Sequence, residues 1–282
     1  MNEQEQLQQQ KIIASGNPKL AYEFARDVEG ADIKALQSVI LNCEDGDAAH
    51  FAYRFALDIK GANTIMLEQK VLKDECVETA YLFARDIIDA DAEELGKVCL
   101  NDESNLTIAY QFARDVMGAD VKAFENVVIK SGNDTTASCF ARYVRGANIK
   151  ALEQVILQCA DSYCSAPINA YEFAKFVKGA DIKALQSKVL KGSDKDAIYL
   201  FARDIEGADR KACEHALRSL CPKGTFYPEV WLRFARDVEG ADIDAIEEII
   251  MAGDNQPLIN EWNNIVRAAE CSQEPSYGMG GM

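Results

Sequence analysis

The chain has 282 residues, of which 48% are hydrophobic and 27% are charged, and its formal net charge at pH 7 is −16. This composition excludes wholesale disorder, and no run in the sequence approaches the roughly 20 apolar residues that a membrane-spanning helix requires. The strong negative charge disfavours general binding of nucleic acid, because it repels phosphates, and it favours partners with basic surfaces.

The N-terminal segment and the cysteines both indicate the cellular compartment. The segment MNEQEQLQQQKII has no basic region followed by an apolar core, so we predict no signal peptide and a cytoplasmic location. The nine cysteines are scattered and form no CxxC pair, which argues against a zinc site. Cys99 stands where the repeat described next has Ile40, so we expect such cysteines to act as small buried hydrophobic residues.

From residue 21 to residue 250 the sequence repeats itself eight times. The first copy reads AYEFARDVEGADIKALQSVIL (21–41), and we number the copies one to eight along the chain. Each copy has a phenylalanine at the same position, and these residues recur about every 30 residues: Phe24, Phe55, Phe83, Phe112, Phe140, Phe173, Phe201 and Phe234. Self-similarity of this length is typical of helical-repeat proteins.

Each copy predicts two short helices joined by a tight turn. In copy one, apolar residues at helical spacing form one stripe in the first helix and one in the second: Ala21, Phe24, Ala25 and Val28, then Ile33, Leu36, Val39 and Ile40. Gly30 suits the left-handed residue that ends a helix, and Asp32 suits the N-cap of the next one. Because one hairpin cannot bury both stripes, neighbouring copies must stack. We therefore predict an all-α fold, a right-handed α-solenoid of eight two-helix repeats.

The two ends predict half-repeat caps. Residues 8–17 align with the second helix of copy four but are more polar, and residues 257–270 predict a final helix with four inward residues: Leu258, Trp262, Ile265 and Val266. The last residues lack any periodicity. We thus expect a single solenoid over residues 1–270, monomeric by default, and a flexible tail over residues 271–282.

The repeated wording F-A-R-D-V-x-G-A-D-I-x-A-L carries a resemblance over about residues 10–250. The unit resembles a short form of HEAT and armadillo repeats, and more closely a largely uncharacterised repeat of proteins encoded by bacteriophages and some large viruses. This resemblance implies a viral origin and hence the host cytoplasm. No agreed activity accompanies the repeat, so the resemblance supplies no catalytic residue.

An Arg-Asp pair directly follows Phe-Ala in most copies. The arginines are Arg26, Arg85, Arg114, Arg142, Arg203 and Arg236, and the aspartates are Asp27, Asp58, Asp86, Asp115, Asp204 and Asp237. Stacked helices lie roughly 8–10 Å apart, so we expect the arginine of one copy to pair with the aspartate of the next. The alternative is an arginine row that grips an extended anionic ligand.

Copies five and six lose this aspartate and have Tyr143 and Phe176 in its place. Between residues 139 and 191 there are eight basic and only four acidic residues. We call six of the residues there the basic-aromatic patch, and predict that it binds a partner: Arg142, Tyr143, Arg145, Lys175, Phe176 and Lys178. Aromatic rings flanked by cations suit an acidic peptide, a phosphate or a stacked base. In the alternative reading, the rings pack on each other and the lysines are merely solvated.

No motif in the sequence indicates a catalytic, metal or cofactor site, so we predict a non-enzymatic protein. The leading hypothesis is a scaffold that binds a protein partner, in the form of a phage protein that inhibits or modulates a host protein such as a defence factor. One alternative is a solenoid that holds a nucleotide-like ligand or single-stranded nucleic acid at the patch. Another is a structural component of a virion or another assembly.

Overall fold

The computed structural model describes residues 1–102, 104–160, 166–222, 229–253 and 255–273, without the side chains of residues 265–273. Throughout these residues the regular secondary structure is helical, and they contain no strand. None of the helices within these ranges has the length and apolar character needed to cross a membrane. The all-α class predicted from the sequence is confirmed.

The chain forms two compact units, Met1–Asn148 and Ile149–Met282, and the boundary falls between the two helices of copy five. Unit 1 contains ten helices in its described part: α1 (Glu3–Ser15), α2 (Pro18–Asp27), α3 (Ile33–Asn42), α4 (Ala48–Asp58), α5 (Thr64–Asp74), α6 (Val77–Asp86), α7 (Ala92–Asn101), α8 (Leu106–Asp115), α9 (Val121–Ser131) and α10 (Asp134–Tyr143). In copies one to four the first helix packs on the second helix of the same copy. First helices also pack on the first helices of neighbouring copies, and second helices on second helices.

Unit 2 contains eight helices within its described ranges: α11 (Ile149–Gln158), α12 (Ala166–Phe176), α13 (Ile182–Lys191), α14 (Lys195–Asp204), α15 (Arg210–Leu220), α16 (Glu229–Asp237), α17 (Ile243–Met251) and α18 (Gln256–Gln273). The helices α12, α14, α16 and α18 pack in that order, and α11, α13 and α15 form a second row. Each unit is thus built from two rows of helices.

The buried faces are the apolar stripes of the sequence. In copy one, Ala21, Phe24, Leu36 and Ile40 are buried, and the repeated phenylalanines of the other seven copies are fully buried. Burial of one such side chain contributes about 1.5–3 kcal/mol, which short helices of about ten residues need for stability. The predicted stripes are confirmed.

The turn between the two helices of a copy has the predicted backbone geometry. Gly30 has φ +80°, and Asp89, which replaces this glycine in copy three, has φ +63°. Asp32 caps α3, since its side chain accepts a hydrogen bond from the N–H of Ala35 at 3.1 Å. Left-handed φ favours glycine and is tolerated by Asp, so the substitution is compatible with the turn.

Both terminal helices are longer than the sequence predicts. The N-terminal helix begins at Glu3, because Asn2 and Glu5 form a capping box there. The C-terminal helix extends to Gln273, and Leu258 and Trp262 are buried as predicted. Residues 274–282 of the predicted tail lie outside the described residues, and the single solenoid over residues 1–270 stays a prediction.

A repeated hydrogen bond joins the second helices of successive copies. A buried Gln or Glu accepts a bond from the backbone N–H of the next N-cap residue, and we call this the Gln/Glu link. It is formed by Gln9 with Asp32, Gln37 with Asn63, Glu68 with Asp91, Glu125 with Asn148, Glu153 with Asp181, Gln186 with Asp209 and Glu214 with Asp242, at 2.5–3.2 Å. The link gives each polar side chain a partner, so its burial is not destabilising.

Candidate functional site

The first helices are joined by a bond from tyrosine to aspartate. Six copies have a tyrosine two residues before the repeated phenylalanine, and five of these donate from the hydroxyl to the Asp of the next copy. We call this the Tyr–Asp link: Tyr22 with Asp58, Tyr53 with Asp86, Tyr81 with Asp115, Tyr171 with Asp204 and Tyr199 with Asp237, at 2.5–2.8 Å. The predicted pairing of arginine with the aspartate of the next copy is therefore wrong, because at these junctions tyrosine donates to that aspartate.

The arginine instead pairs with the aspartate beside it in the same copy. Arg85 donates from Nε and Nη2 to the two carboxylate oxygens of Asp86, both at 2.7 Å, and its Cζ lies 5.2 Å from the ring centre of Tyr81. The planar guanidinium matches a carboxylate in this two-point fashion. Four more pairs have the same geometry: Arg26–Asp27, Arg114–Asp115, Arg203–Asp204 and Arg236–Asp237.

These ion pairs lower the pKa values of the aspartates on the first helices. The hydrogen bond from Arg203, together with those from Lys175 and Tyr171, holds the pKa of Asp204 far below its usual value. Arginine bonding likewise lowers the pKa of Asp86 and of Asp115. Since each of these guanidinium groups already binds a carboxylate, the row offers little free positive charge to an anionic ligand.

Three residues of the basic-aromatic patch lie in unit 1, at the end of α10 and in the following turn. Arg142, Tyr143 and Arg145 are all exposed, and Tyr143 keeps 49% of its surface accessible. The Cζ atom of Arg142 lies 4.8 Å from the ring centre of Tyr143, within the range of a cation–π contact. The ring of Tyr110, from the preceding copy, lies 6.4 Å away, so an aromatic pair replaces the Tyr–Asp link here.

The other three residues of the patch lie in unit 2, at the end of α12 and in its turn. Phe176 is 43% exposed, and Lys175 and Lys178 are exposed as well. Lys175 donates to Asp204 and to the hydroxyl of Tyr171, each at 2.7 Å, and these bonds raise its pKa. Lys175 is therefore part of the Tyr–Asp link, whereas Phe176 and Lys178 present their surface to solvent.

One lysine counted among the local cations does not belong to the surface. Lys188 is 7% exposed, and its ammonium group donates to the backbone carbonyl of Cys159. Lys70 has the equivalent place in copy two, where it donates to the carbonyl of Cys43 at 2.5 Å. A count of charges along the sequence does not show on which face of its helix a lysine lies, so the burial of Lys188 was missed.

The Tyr–Asp link was missed at the sequence level, although a signal for it exists. Copy five has Ser138 in place of the tyrosine, and copy six has Phe176 in place of the aspartate. Both members of the pair are thus absent from the same junction of the sequence. This paired loss, together with the tyrosine that accompanies aspartate at five of the other six junctions, indicates tyrosine as the aspartate's partner.

No metal-binding group of three or more His, Cys, Asp or Glu side chains occurs within the part of the chain that the structure describes. Comparison of the chain with protein-family models, with curated proteins and with solved structures gave no match. The candidate site therefore depends on the geometry of the patch residues alone.

Proposed function

We propose that the chain is a right-handed α-solenoid of eight copies that acts as a non-enzymatic scaffold for a protein partner. One observation carries this proposal: where most other copies have an aspartate that is paired in the Tyr–Asp link, copies five and six expose Tyr143 and Phe176, each beside a cation. In helical-repeat proteins the repeated positions hold the scaffold together, and the departures from the pattern select the partner. Aromatic residues and arginine are also the side chains that contribute most to binding at protein interfaces.

The resemblance of the repeat to proteins of bacteriophages and large viruses supports a more specific form of this proposal. In it, the chain acts in the host cytoplasm and binds a host protein, such as a defence factor, whose activity it inhibits or modulates. The chain's net charge of −16 favours a partner whose surface is basic overall. Where that partner contacts the basic-aromatic patch, its own residues would be acidic or apolar.

A pull-down tests this function. The tagged full chain is compared with two double variants, Tyr143→Ser/Arg145→Glu and Phe176→Ser/Lys178→Glu, in a native or infected lysate. We expect one dominant protein to bind the wild type and to fall by about tenfold or more with either variant. Lys60→Glu is the matched control, because Lys60 occupies the same turn position as Arg145 and Lys178 and is exposed. Equal capture by all four chains would refute the function of the patch.

A second function is favoured by the cation–π geometry at Tyr143. A ring with an arginine beside it also suits a stacked base, so the patch supports binding of a nucleotide-like ligand or a single strand. A thermal-shift panel of nucleotides and short oligonucleotides tests this, since a bound ligand raises the melting temperature. A shift that the Tyr143→Ser/Arg145→Glu variant abolishes would support it, and the absence of any shift would exclude it.

A further inference from the structure

One junction in unit 1 lacks the Gln/Glu link. Copy three has Gly96 where α1 and the second helices of six other copies have the buried Gln or Glu. The N-cap residue that follows is Asp120, and no side chain among the described residues accepts a bond from its backbone N–H. A cavity of about 350 Å³ opens at this junction between α7 and α9. We call it the Gly96 groove, and it is lined among others by Ala92, Gly96, Lys97, Gly118, Asp120 and Phe124.

The floor of the Gly96 groove is aromatic. The rings of Phe112 and Phe124 stack with their centres 4.8 Å apart, and Phe124 replaces the leucine of most other copies. A Cβ atom at residue 96 would lie 3.4 Å from Cε1 of Phe112 and 3.8 Å from Cε2 of Phe124. The glycine thus lies against two buried rings, in the same groove as the backbone donor of Asp120.

The two copies that border the groove also expose large apolar side chains. Ile88 is 86% exposed and Met117 is 96% exposed, and Met117 directly precedes Gly118 of the groove. Both occupy the turn position that is charged in the remaining six copies: Glu29, Lys60, Arg145, Lys178, Glu206 and Glu239. Exposed apolar residues beside a cavity are typical of a protein-binding surface.

We propose that the Gly96 groove binds a glutamine side chain of a partner protein, and that apolar residues flanking this glutamine cover Ile88 and Met117. The chain itself shows how such a side chain sits, because its own Gln or Glu reaches the equivalent N–H at seven junctions. This inference rests on the proposed scaffold function and adds a second contact surface to it.

A carboxamide fits the groove better than a carboxylate. Gln186 shows both contacts, since its Oε1 accepts from the N–H of Asp209 at 2.9 Å and its Nε2 donates to the carbonyl of the same residue at 2.7 Å. Among the residues that line the Gly96 groove the base is Lys97, which already pairs with Glu93 at 3.0 Å and with Glu94 at 2.7 Å. A carboxylate from the partner would therefore enter a site whose net charge is negative.

A matched groove in unit 2 supplies the internal comparison. It has a volume of about 480 Å³, and Gln186, Gly207 and Asp209 line it at the positions that correspond to Gly96, Gly118 and Asp120. There the side chain of Gln186 already occupies the backbone groups of Asp209. Because Gln186 already bonds to Asp209, the groove in unit 2 has no open backbone donor for a partner glutamine. The Gly96 groove in unit 1 has one, the N–H of Asp120.

Peptide selection on the full chain tests the proposal. Pools of nine-residue peptides with random flanks and a central residue fixed as Gln, Glu or Leu are selected on the wild type and on Gly96→Gln, which supplies the missing side chain. We expect the Gln-centred pool to be enriched roughly tenfold over the other two, with apolar flanks, and Gly96→Gln to abolish that enrichment. Equal enrichment of the pools, or binding that survives Gly96→Gln, would overturn the proposal.

A measurement on the wild type keeps the test decisive if Gly96→Gln does not fold. The most enriched Gln-centred peptide is titrated into isotope-labelled chain, and the backbone amide resonances of the N-cap residues are followed by NMR. We expect the N–H resonance of Asp120 to shift on binding, while those of Asn63 and Asp209, whose donors are already bonded, stay in place. Binding without a shift at Asp120 would count against the groove as the site.

The two proposals can fail separately. Peptides that bind the wild type and Gly96→Gln equally would remove the groove and leave the scaffold function, which the Tyr143 and Phe176 variants test. Conversely, selection of Gln-centred peptides without any partner that depends on the patch would remove the function of the patch and leave the groove.

Discussion

At the scale of single residues, the buried thiols show how burial controls chemistry. Cys99 and Cys213 are 1% and 0% exposed, and burial raises the pKa of each to about 12. Cys99 follows the expectation drawn from Ile40 of copy one, that such cysteines replace apolar core residues. Since the thiolate is the reactive form, these two residues are chemically inert while the chain is folded.

We predict that iodoacetamide at pH 8 modifies Cys99 and Cys213 only after unfolding. Burial excludes the reagent, and the raised pKa keeps both groups as thiols at this pH. Peptide mass spectrometry after timed labelling, in buffer and in urea, measures the two rates. The partly exposed Cys76 is the control and should react faster in the folded chain. Labelling of Cys99 in buffer as fast as in urea would contradict the assigned burial.

The residues of the basic-aromatic patch could be predicted from the sequence only in part. The exposure of Arg145 could be anticipated, because its turn position is exposed in every copy. That of Tyr143 and Phe176 could not, since the aspartate at the same position is only partly exposed in four other copies. The role of Lys175 could not, since its bond to Asp204 depends on the offset between two first helices. Gly96 also escaped notice, because a glycine in a helix carries meaning only once the Gln/Glu link at the other junctions is known.

At the scale of helices, the Tyr–Asp link couples each first helix to the next. The hydroxyl of Tyr81 donates to Asp115 at 2.8 Å and accepts from Arg85 at 3.3 Å, and burial is the main reason that its pKa is raised. A hydrogen bond to a partly buried carboxylate stabilises the contact between α6 and α8. The link is thus a joint between helices that are adjacent in space but about 30 residues apart in sequence.

We predict that Tyr81→Phe lowers the free energy of unfolding by about 1 kcal/mol, because one hydrogen bond to a charged group is lost without a cavity. Tyr110→Phe is the matched control. Its hydroxyl bonds to Arg114 at 2.8 Å but faces Tyr143 instead of an aspartate, so the loss should be smaller. Urea unfolding, with hydrogen exchange in α6 and α8, measures both variants. Equal losses would show that the link to aspartate adds nothing.

Helices, turns and caps could be predicted at this scale because each depends on residues close together in the sequence. Asp32, Gly30 and the stripe around Phe24 are all recognisable from spacing and side-chain chemistry. The bonds between copies could not be predicted in this way, since they depend on how far one hairpin is shifted along its neighbour. The pairing predicted for the arginines was wrong for this reason: Arg85 bonds to Asp86 in its own copy, and Tyr81 bonds to Asp115 in the next.

At the scale of the whole molecule, the lowered aspartate pKa values make stability depend on pH. The pKa values of Asp86, Asp115, Asp204 and Asp237 all lie below the ordinary value of 3.8, mainly because of bonds from arginine. A carboxyl whose pKa is lower in the folded state contributes stability above its unfolded pKa. That contribution is lost as the pH falls from about 3.8 through the lower folded values.

We therefore predict that Asp204→Asn costs about 1–2 kcal/mol at pH 7, after allowance for solvent screening, and progressively less below pH 4. Urea unfolding of the wild type and the variant at pH 7, 5, 4 and 3 measures the difference. Asp32→Asn is a suitable control, because asparagine also caps helices and this change removes a charge from outside the Tyr–Asp row. A constant difference between wild type and Asp204→Asn at every pH would contradict the linkage.

The Gln/Glu link has a consequence for how such a molecule can change in evolution. Its acceptor side chain recognises a main-chain amide, and every non-proline residue at the N-cap supplies that same donor. Duplication or deletion of a complete copy would therefore bring together two copies that never adjoined before, and this bond would still form between them wherever the first of the two has the Gln or Glu. The chain can therefore become longer or shorter by whole copies without compensating substitutions at such boundaries.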